Sequence, residues 1–168
     1  MKTIHYIGSH AGDPLRQRLE WALVRAFQQG EFKMVTHSEA IHEEHADGTV
    51  TIASASWREN KVRSKRTRLN PNNWIVIDMP MWDVNKSKQL LSIYMDCKYD
   101  LRGAIGTALP FVGASPKCPD ISEGRWICSE FVAAPYLYSA EIFSPSKFAA
   151  ICATFGEVIT EQFFNERK

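Results

Sequence analysis

Apolar positions along this chain repeat with two different periods. Residues 3–7, TIHYI, form a short strand pattern. Leu15, Leu19, Ala22 or Leu23, and Ala26 recur at helical spacing, so a helix is predicted over GDPLRQRLEWALVRAFQQG, with Asp13 as cap, Pro14 in its first turn and Gly30 at its end. FKMVTHSEAIH returns to a strand pattern. EEHADG is a turn with Asp47-Gly48 as its hairpin signal, and TVTIASAS is the returning strand. The segment WRENKVRSKRTRL alternates and is basic. In NWIVIDM, the run Ile75-Val76-Ile77 predicts a core strand. MWDVNKSKQLLSIYMDCKYD reads as a helix capped near Asp83 or Asn85. Residues 101–124 are rich in Gly and Pro and read as loop with a little helix. RWICSEFVAAPYLYSA must hold a short or kinked helix, because Pro135 follows its first turn. SPSKFAAICATFGEVITEQFF predicts a C-terminal helix with Ser144 as cap and Pro145 at its start. The order is a helix, then a small antiparallel sheet, then helices: the α+β class, in one domain.

Length and charge narrow the picture further. A chain of 168 residues buries a sizeable core without staples. A net charge of +1 gives no overall pull toward nucleic acid or a membrane surface, and no nucleic-acid-binding motif is found. No apolar run approaches the ~20 residues of a membrane span. MKTIHYIGSH lacks the apolar core of a signal peptide, so a cytosolic protein at synthesis, without a membrane anchor, is expected. No Gly-rich phosphate loop follows a strand, which removes the nucleotide-binding folds. The four cysteines, Cys97, Cys118, Cys128 and Cys152, form no CxxC pair and read as free thiols in a reducing compartment.

One of those thiols stands apart. In RWICSEFV, Cys128 falls in the first turn of a predicted helix, where backbone N–H groups and the helix dipole favour a thiolate and can hold an oxyanion. Cys97 and Cys152 sit among apolar residues in helical patterns, and Cys118 lies in the Pro-rich loop. Packing is the alternative role for each. A thiol nucleophile needs a base. His5 and His10 flank the first strand, and His42 and His45 fall at or in a polar turn and read as solvated. His37 lies within a strand between apolar flanks, on one face with Val35, Glu39 and Ile41. A zinc site is poorly served by this set: in a regular strand His37 and His42 point to opposite faces, and no cofactor is expected.

Taken in order, THSEAI, ASASWRENKVR, YDLRGAIG and WICSEFV resemble the circularly permuted branch of the NlpC-type papain-like cysteine hydrolases, over residues 30–140. That branch includes YiiX-like and lecithin:retinol-acyltransferase-like proteins, many encoded by bacteriophages. Its histidine strand comes first and its cysteine helix late. The resemblance implies a permuted papain-like domain in which Cys128 is the nucleophile and His37 the general base. It also implies that Tyr99, Asp100, Trp126, Ser129 and Glu130 lie along the substrate cleft. From the residues alone, Tyr99 packing and Asp100 capping a helix serves as well.

Such families orient the histidine with a polar residue on the next strand, and the returning strand here offers Thr51, Ser54 and Ser56. Ser54 is the positional match, and Glu39, on the same strand face as His37, is the other candidate. Arg58, Lys61, Arg63, Lys65, Arg66 and Arg68 read as a solvated strand and turn, or as a rim for an anionic substrate. The expected substrate is an amide (a peptide or isopeptide bond, including cell-wall peptides) or an acyl ester, with a virion or host-cell protein as a possible partner. A papain-like binding or virion-assembly module without catalysis, and a lipid acyltransferase or thioesterase, are the other classes.

Overall fold

The computed structural model describes residues 1–8, 30–101, 103–104, 125–137 and 144–167. The helix expected over residues 12–30, apart from Gly30, and the Gly/Pro-rich segment after Ala104, with Cys118, fall outside them. Eight strands are described: β1 (Lys2–Tyr6), β2 (His37–Glu44), β3 (Val50–Ser56), β4 (Lys61–Thr67), β5 (Trp74–Asp78), β6 (Lys98–Tyr99), β7 (Arg125–Trp126) and β8 (Glu157–Val158). They join in one sheet of order β7-β6-β4-β3-β2-β1-β5-β8. Only the β6–β7 pair is parallel. Among the described residues four helices accompany it: α1 (Val84–Tyr94), α2 (Cys128–Ala133), α3 (Pro145–Phe155) and α4 (Thr160–Asn165). The architecture is α+β, built on a curled, mostly antiparallel sheet.

Alternation along the strands decides which side each residue serves. Ala40, Ala53 and Ile77 pack with residues of α2 and α3 or of α1 and α2, whereas their neighbours Ile41, Ile52 and Val76 pack with Phe163 of α4. The sheet is therefore buried on both faces. That explains why its strands carry few exposed positions, and why the polar residues they do carry must find partners within the protein.

The hairpin signal at Asp47-Gly48 joins β2 to β3, with Gly48 at φ +77°. Asp83 caps α1 by accepting from the Asn85 amide at 2.9 Å, and Ser144 caps α3 by accepting from the Lys147 amide at 3.3 Å. Two expected helices are shorter than their patterns. α1 stops at Tyr94; Asp96 then turns at φ +65°, and the chain enters β6. The C-terminal pattern breaks after Phe155 into α3, β8 and α4. At Gly156 a Cβ would lie 2.4 Å from the Asp78 carbonyl oxygen and 2.5 Å from Met79 Sδ. The side chain is absent because the backbone must pass this close for β8 to pair with β5.

No helix among the described residues is long and apolar enough to cross a membrane.

Candidate active site

β2 begins with His37. Two residues later, on the same side of the strand, Glu39 meets its ring: His37 Nε2 lies 2.9 Å from Glu39 Oε1. Glu39 is in turn gripped by Arg63 of β4, whose guanidinium donates to Oε2 at 3.2 Å and to Oε1 at 3.0 Å. The register explains how a residue two strands away reaches this carboxylate. Arg63 pairs with Ser54 of β3, and the short serine leaves the guanidinium free to pass over it. Arg63 Nε also lies 2.8 Å from Glu59 Oε1, a carboxylate closer to solvent.

On its other side, His37 neighbours the thiol of Cys128, close enough for the sulfur's charge and hydrogen bonding to raise the ring's pKa. With Nε2 facing Glu39, Nδ1 is the ring nitrogen left for the sulfur. Cys128 is the first residue of α2 and 2% exposed. Ile127, the preceding residue, is extended and has no side-chain acceptor, so the Cys128 amide stands outside the helix's own hydrogen-bond ladder. Glu130 makes half of a capping box: its Oε2 accepts from the Ile127 amide at 3.1 Å.

The electrostatics follow from these contacts. Burial drives the His37 pKa down, but the charge and hydrogen bond of Cys128 and those of Glu39 outweigh it and hold the imidazole up at about 9. Burial drives Glu39 up, yet His37 and Arg63 bring it down to about 2. Glu39 is therefore a carboxylate, and His37 an imidazolium, across neutral pH. A thiol, an imidazole and a carboxylate in hydrogen-bonded series can move a proton from sulfur to nitrogen and hold it there.

The remaining expected site residues are distributed around this line. Ser54 is not the partner of His37: its hydroxyl donates to the Ser38 carbonyl at 2.7 Å, clipping β3 to β2. Of the two candidates for the orienting role, Glu39 is the one on the ring. Tyr99 stacks on Trp57, with centroids 6.5 Å apart. Its phenol is pushed well above the ordinary range by burial, then by the charges of Cys128, Asp100 and Glu130, which marks it as a neighbour of the thiol. Asp100 accepts from the Gly103 amide at 2.9 Å, and its own amide donates to the Trp126 carbonyl at 2.9 Å, so it caps a turn and ties β6 to β7. Trp126 is packed edge-on against Tyr94 and Phe131, a core role behind the cysteine. Ser129 and Glu130 are also buried, and Glu130 Oε1 has no hydrogen-bond partner among the described residues. Burial, together with the charge of Asp100 and against the Ile127 amide, leaves the Glu130 carboxyl at about 7.

Three readings of the sequence change here. Arg63 is no part of a solvated rim; it is buried on Glu39. Its basic neighbours Arg58, Lys65, Arg66 and Arg68 are exposed, as the solvated reading expects, with Lys61 paired to Asp96 and Arg66 to Asp47 at the surface. His42 is not solvated. It is the extra residue of a bulge between Ile41 and Glu43, is buried, and bonds Ser87 of α1 at 2.8 Å. His45 lies in the turn, as expected, but bonds Thr51 at 2.8 Å. Among the described residues, no three metal-ligating side chains gather. Cys152 is a packing cysteine: fully buried in α3, its thiol is pushed up to about 12 by burial.

Sequence reasoning had no means to single out Arg63. Its signal is a pairing register, which puts the arginine level with a serine one strand away from the acid. No family model matches this chain, and neither a curated protein nor a solved structure matches it.

Proposed function

We propose that this chain is a cysteine hydrolase of permuted papain-like architecture, cleaving an amide bond through an acyl-enzyme on Cys128. The observation that carries the reading is His37 set between the Cys128 thiol and the Glu39 carboxylate. In the resting ion pair the thiol proton already sits on the His37 ring, and the thiolate attacks the substrate carbonyl carbon. The Cys128 amide is positioned to donate to the oxyanion that forms. His37 returns the proton to the leaving amine nitrogen as the C–N bond breaks. Water then gives its proton to His37 and attacks the thioester, releasing the acid and the thiol.

A binding or virion-assembly module that keeps the fold without catalysis rested on a hydroxyl as third member. A buried carboxylate on His37 Nε2 favours hydrolysis over it. A peptide or isopeptide substrate is the proposed class ahead of a lipid acyl ester. The test is iodoacetamide alkylation of Cys128, followed by mass spectrometry from pH 5 to 9, in the native protein and in His37→Ala. Fast labelling at pH 6, lost in the variant, supports a primed nucleophile, and an electrophilic peptide ester should then leave a mass adduct on Cys128. If Cys128 labels no faster than Cys97, and equally in both proteins, the hydrolase reading is wrong.

A further inference from the structure

Arg63 carries more than the burial of one acid requires. It is 6% exposed, forks onto both oxygens of Glu39, and reaches Glu59 nearer the surface. From the thiol outward the groups therefore run Cys128, His37, Glu39, Arg63, Glu59, and in the ion-pair state their charges alternate. The inner four, buried except for the part-exposed His37, sum to zero whether the proton sits on sulfur or on the imidazole. Without the guanidinium the same four positions would hold one net negative charge, which a buried site relieves by taking up a proton.

The fork also has a geometric effect. Glu39 Oε1 accepts from both His37 and Arg63. The carboxylate plane is thus set by Arg63, and the ring of His37 is set by that plane. A lysine would supply the charge but not the planar fork. Removing the guanidinium leaves the line one negative charge heavier, which disfavours the thiolate–imidazolium pair.

We propose that Arg63 is a positioning residue for the Cys128–His37 pair, fixing the Glu39 carboxylate behind the imidazole and balancing its charge. The inference rests on the proposed function, because it assigns a role in priming the same thiol.

The experiment measures, for the full chain, the alkylation rate of Cys128 at pH 6 as a fraction of its rate at pH 9. Arg63→Gln should lower that fraction about tenfold, equivalent to roughly one pH unit in the titration that controls the rate. Arg63→Lys should retain the fraction within about threefold, yet lower kcat on the peptide ester with KM unchanged, because the charge remains while the aim of Glu39 is lost. Glu59→Gln touches only the outer end. It leaves Arg63 facing a single carboxylate and should raise the fraction slightly, by about twofold, the opposite sign. That variant covers the case in which Arg63→Gln does not fold. If folded Arg63→Gln keeps the native fraction, or Glu59→Gln lowers it, the role is overturned and Arg63 is only a structural partner of an acid. A native protein whose Cys128 is slow at pH 6 instead overturns the hydrolase reading itself, so the two failures are told apart.

Discussion

His5 and His37 lie one residue out of register on neighbouring strands, since Tyr6 pairs with His37 and His5 with Ser38. His5 is fully buried and His37 mostly so, and their fates are opposite. His37 faces a thiol and a carboxylate, and is held up at about 9. His5 faces two hydroxyls, Ser38 Oγ at 3.0 Å from Nδ1 and Thr3 Oγ1 at 3.2 Å from Nε2. Burial, helped by the charge of His37, pushes it down to about 3. Burial acts in the same direction on both rings, so the partner decides which one carries charge. A hydroxyl pair satisfies a neutral imidazole but offers an imidazolium no opposite charge to offset its burial. The charged side of the sheet is built for proton transfer, and the hydroxyl side is built to stay silent.

The comparison is broken most severely by removing the carboxylate. Glu39→Gln takes the buried carboxylate from the Arg63 fork and leaves Glu59, nearer solvent, as its remaining counter-charge, and breaking a buried pair in this way costs up to about 3–5 kcal/mol. Urea denaturation should show the loss directly. The folded fraction should also lose the fast alkylation of Cys128 at pH 6, because a neutral amide no longer stabilises an imidazolium. A variant as stable and as reactive as the native protein would mean that Glu39 serves neither role.

The next largest effect is acid destabilisation, and it comes from the silent side. His5 at about 3 and His42 at about 4 are both depressed, the latter by burial and then by Lys88. A depressed histidine binds its proton more readily in the unfolded chain, so stability rises with pH between the folded and unfolded values. Stability should therefore be fully present above about pH 6.5 and fall as pH drops toward 4 and then 3, on the order of 3 kcal/mol for His42 alone. His37 works with the opposite sign. Its folded value is raised, so its contribution is complete below about 6.5 and is lost as pH rises through about 9. Glu39, held at about 2, contributes fully above about 4.5 and loses that contribution as pH falls from there through about 2, adding to the acid loss. Denaturation at pH 4, 7 and 10 checks all of this. A flat profile from 7 to 4 would show that His5 and His42 are not the neutral, buried groups described.

Much of this arrangement is legible in the residues, and the illegible parts share one cause. The i, i+2 spacing of His37 and Glu39 puts them on one side of any strand, and CSE after an apolar pair marks a helix start. Asp83, Ser144 and Pro145 mark helix starts that the structure keeps. What pattern does not carry is register. Ser54 sits level with Arg63, and the row it makes across β3 selects Glu39 as the ring's partner and turns the serine to the Ser38 carbonyl. His42 reads as solvated until the bulge and the packing of α1 bury it on Ser87. The break at Gly156 likewise depends on β8 finding β5, a pairing about eighty residues apart in the chain.

A smaller effect sharpens the contrast from the charged side. Cys128→Ala removes the largest influence that raises His37, leaving Glu39 to oppose burial. The His37 titration, followed by NMR of the ring, should fall from about 9 by at least one unit, about 1.4 kcal/mol of lost interaction. His5 should remain neutral throughout, with its ring signals unmoved above pH 5. An unchanged His37 would mean that the sulfur does not hold the proton on the ring, and the proton-transfer pair would be lost with it.

The smallest effect tests whether the two sides are independent. Ser38 lies in β2 between His37 and Glu39, and its hydroxyl bonds His5. Its carbonyl also accepts from Ser54, so truncation to alanine removes only the contact on the silent side. Ser38→Ala leaves His5 Nδ1 without its partner in a fully buried position, at a cost of about 1–2 kcal/mol. The backbone that aims His37 and Glu39 is untouched, since β2 keeps its ladder to β1 and the Ser54 clip. Thermal unfolding should therefore drop by several degrees while the pH profile of Cys128 alkylation stays where it was. A shifted profile would show that the hydroxyl side sets the geometry of the charged side, and that His5, though neutral, belongs to the working site.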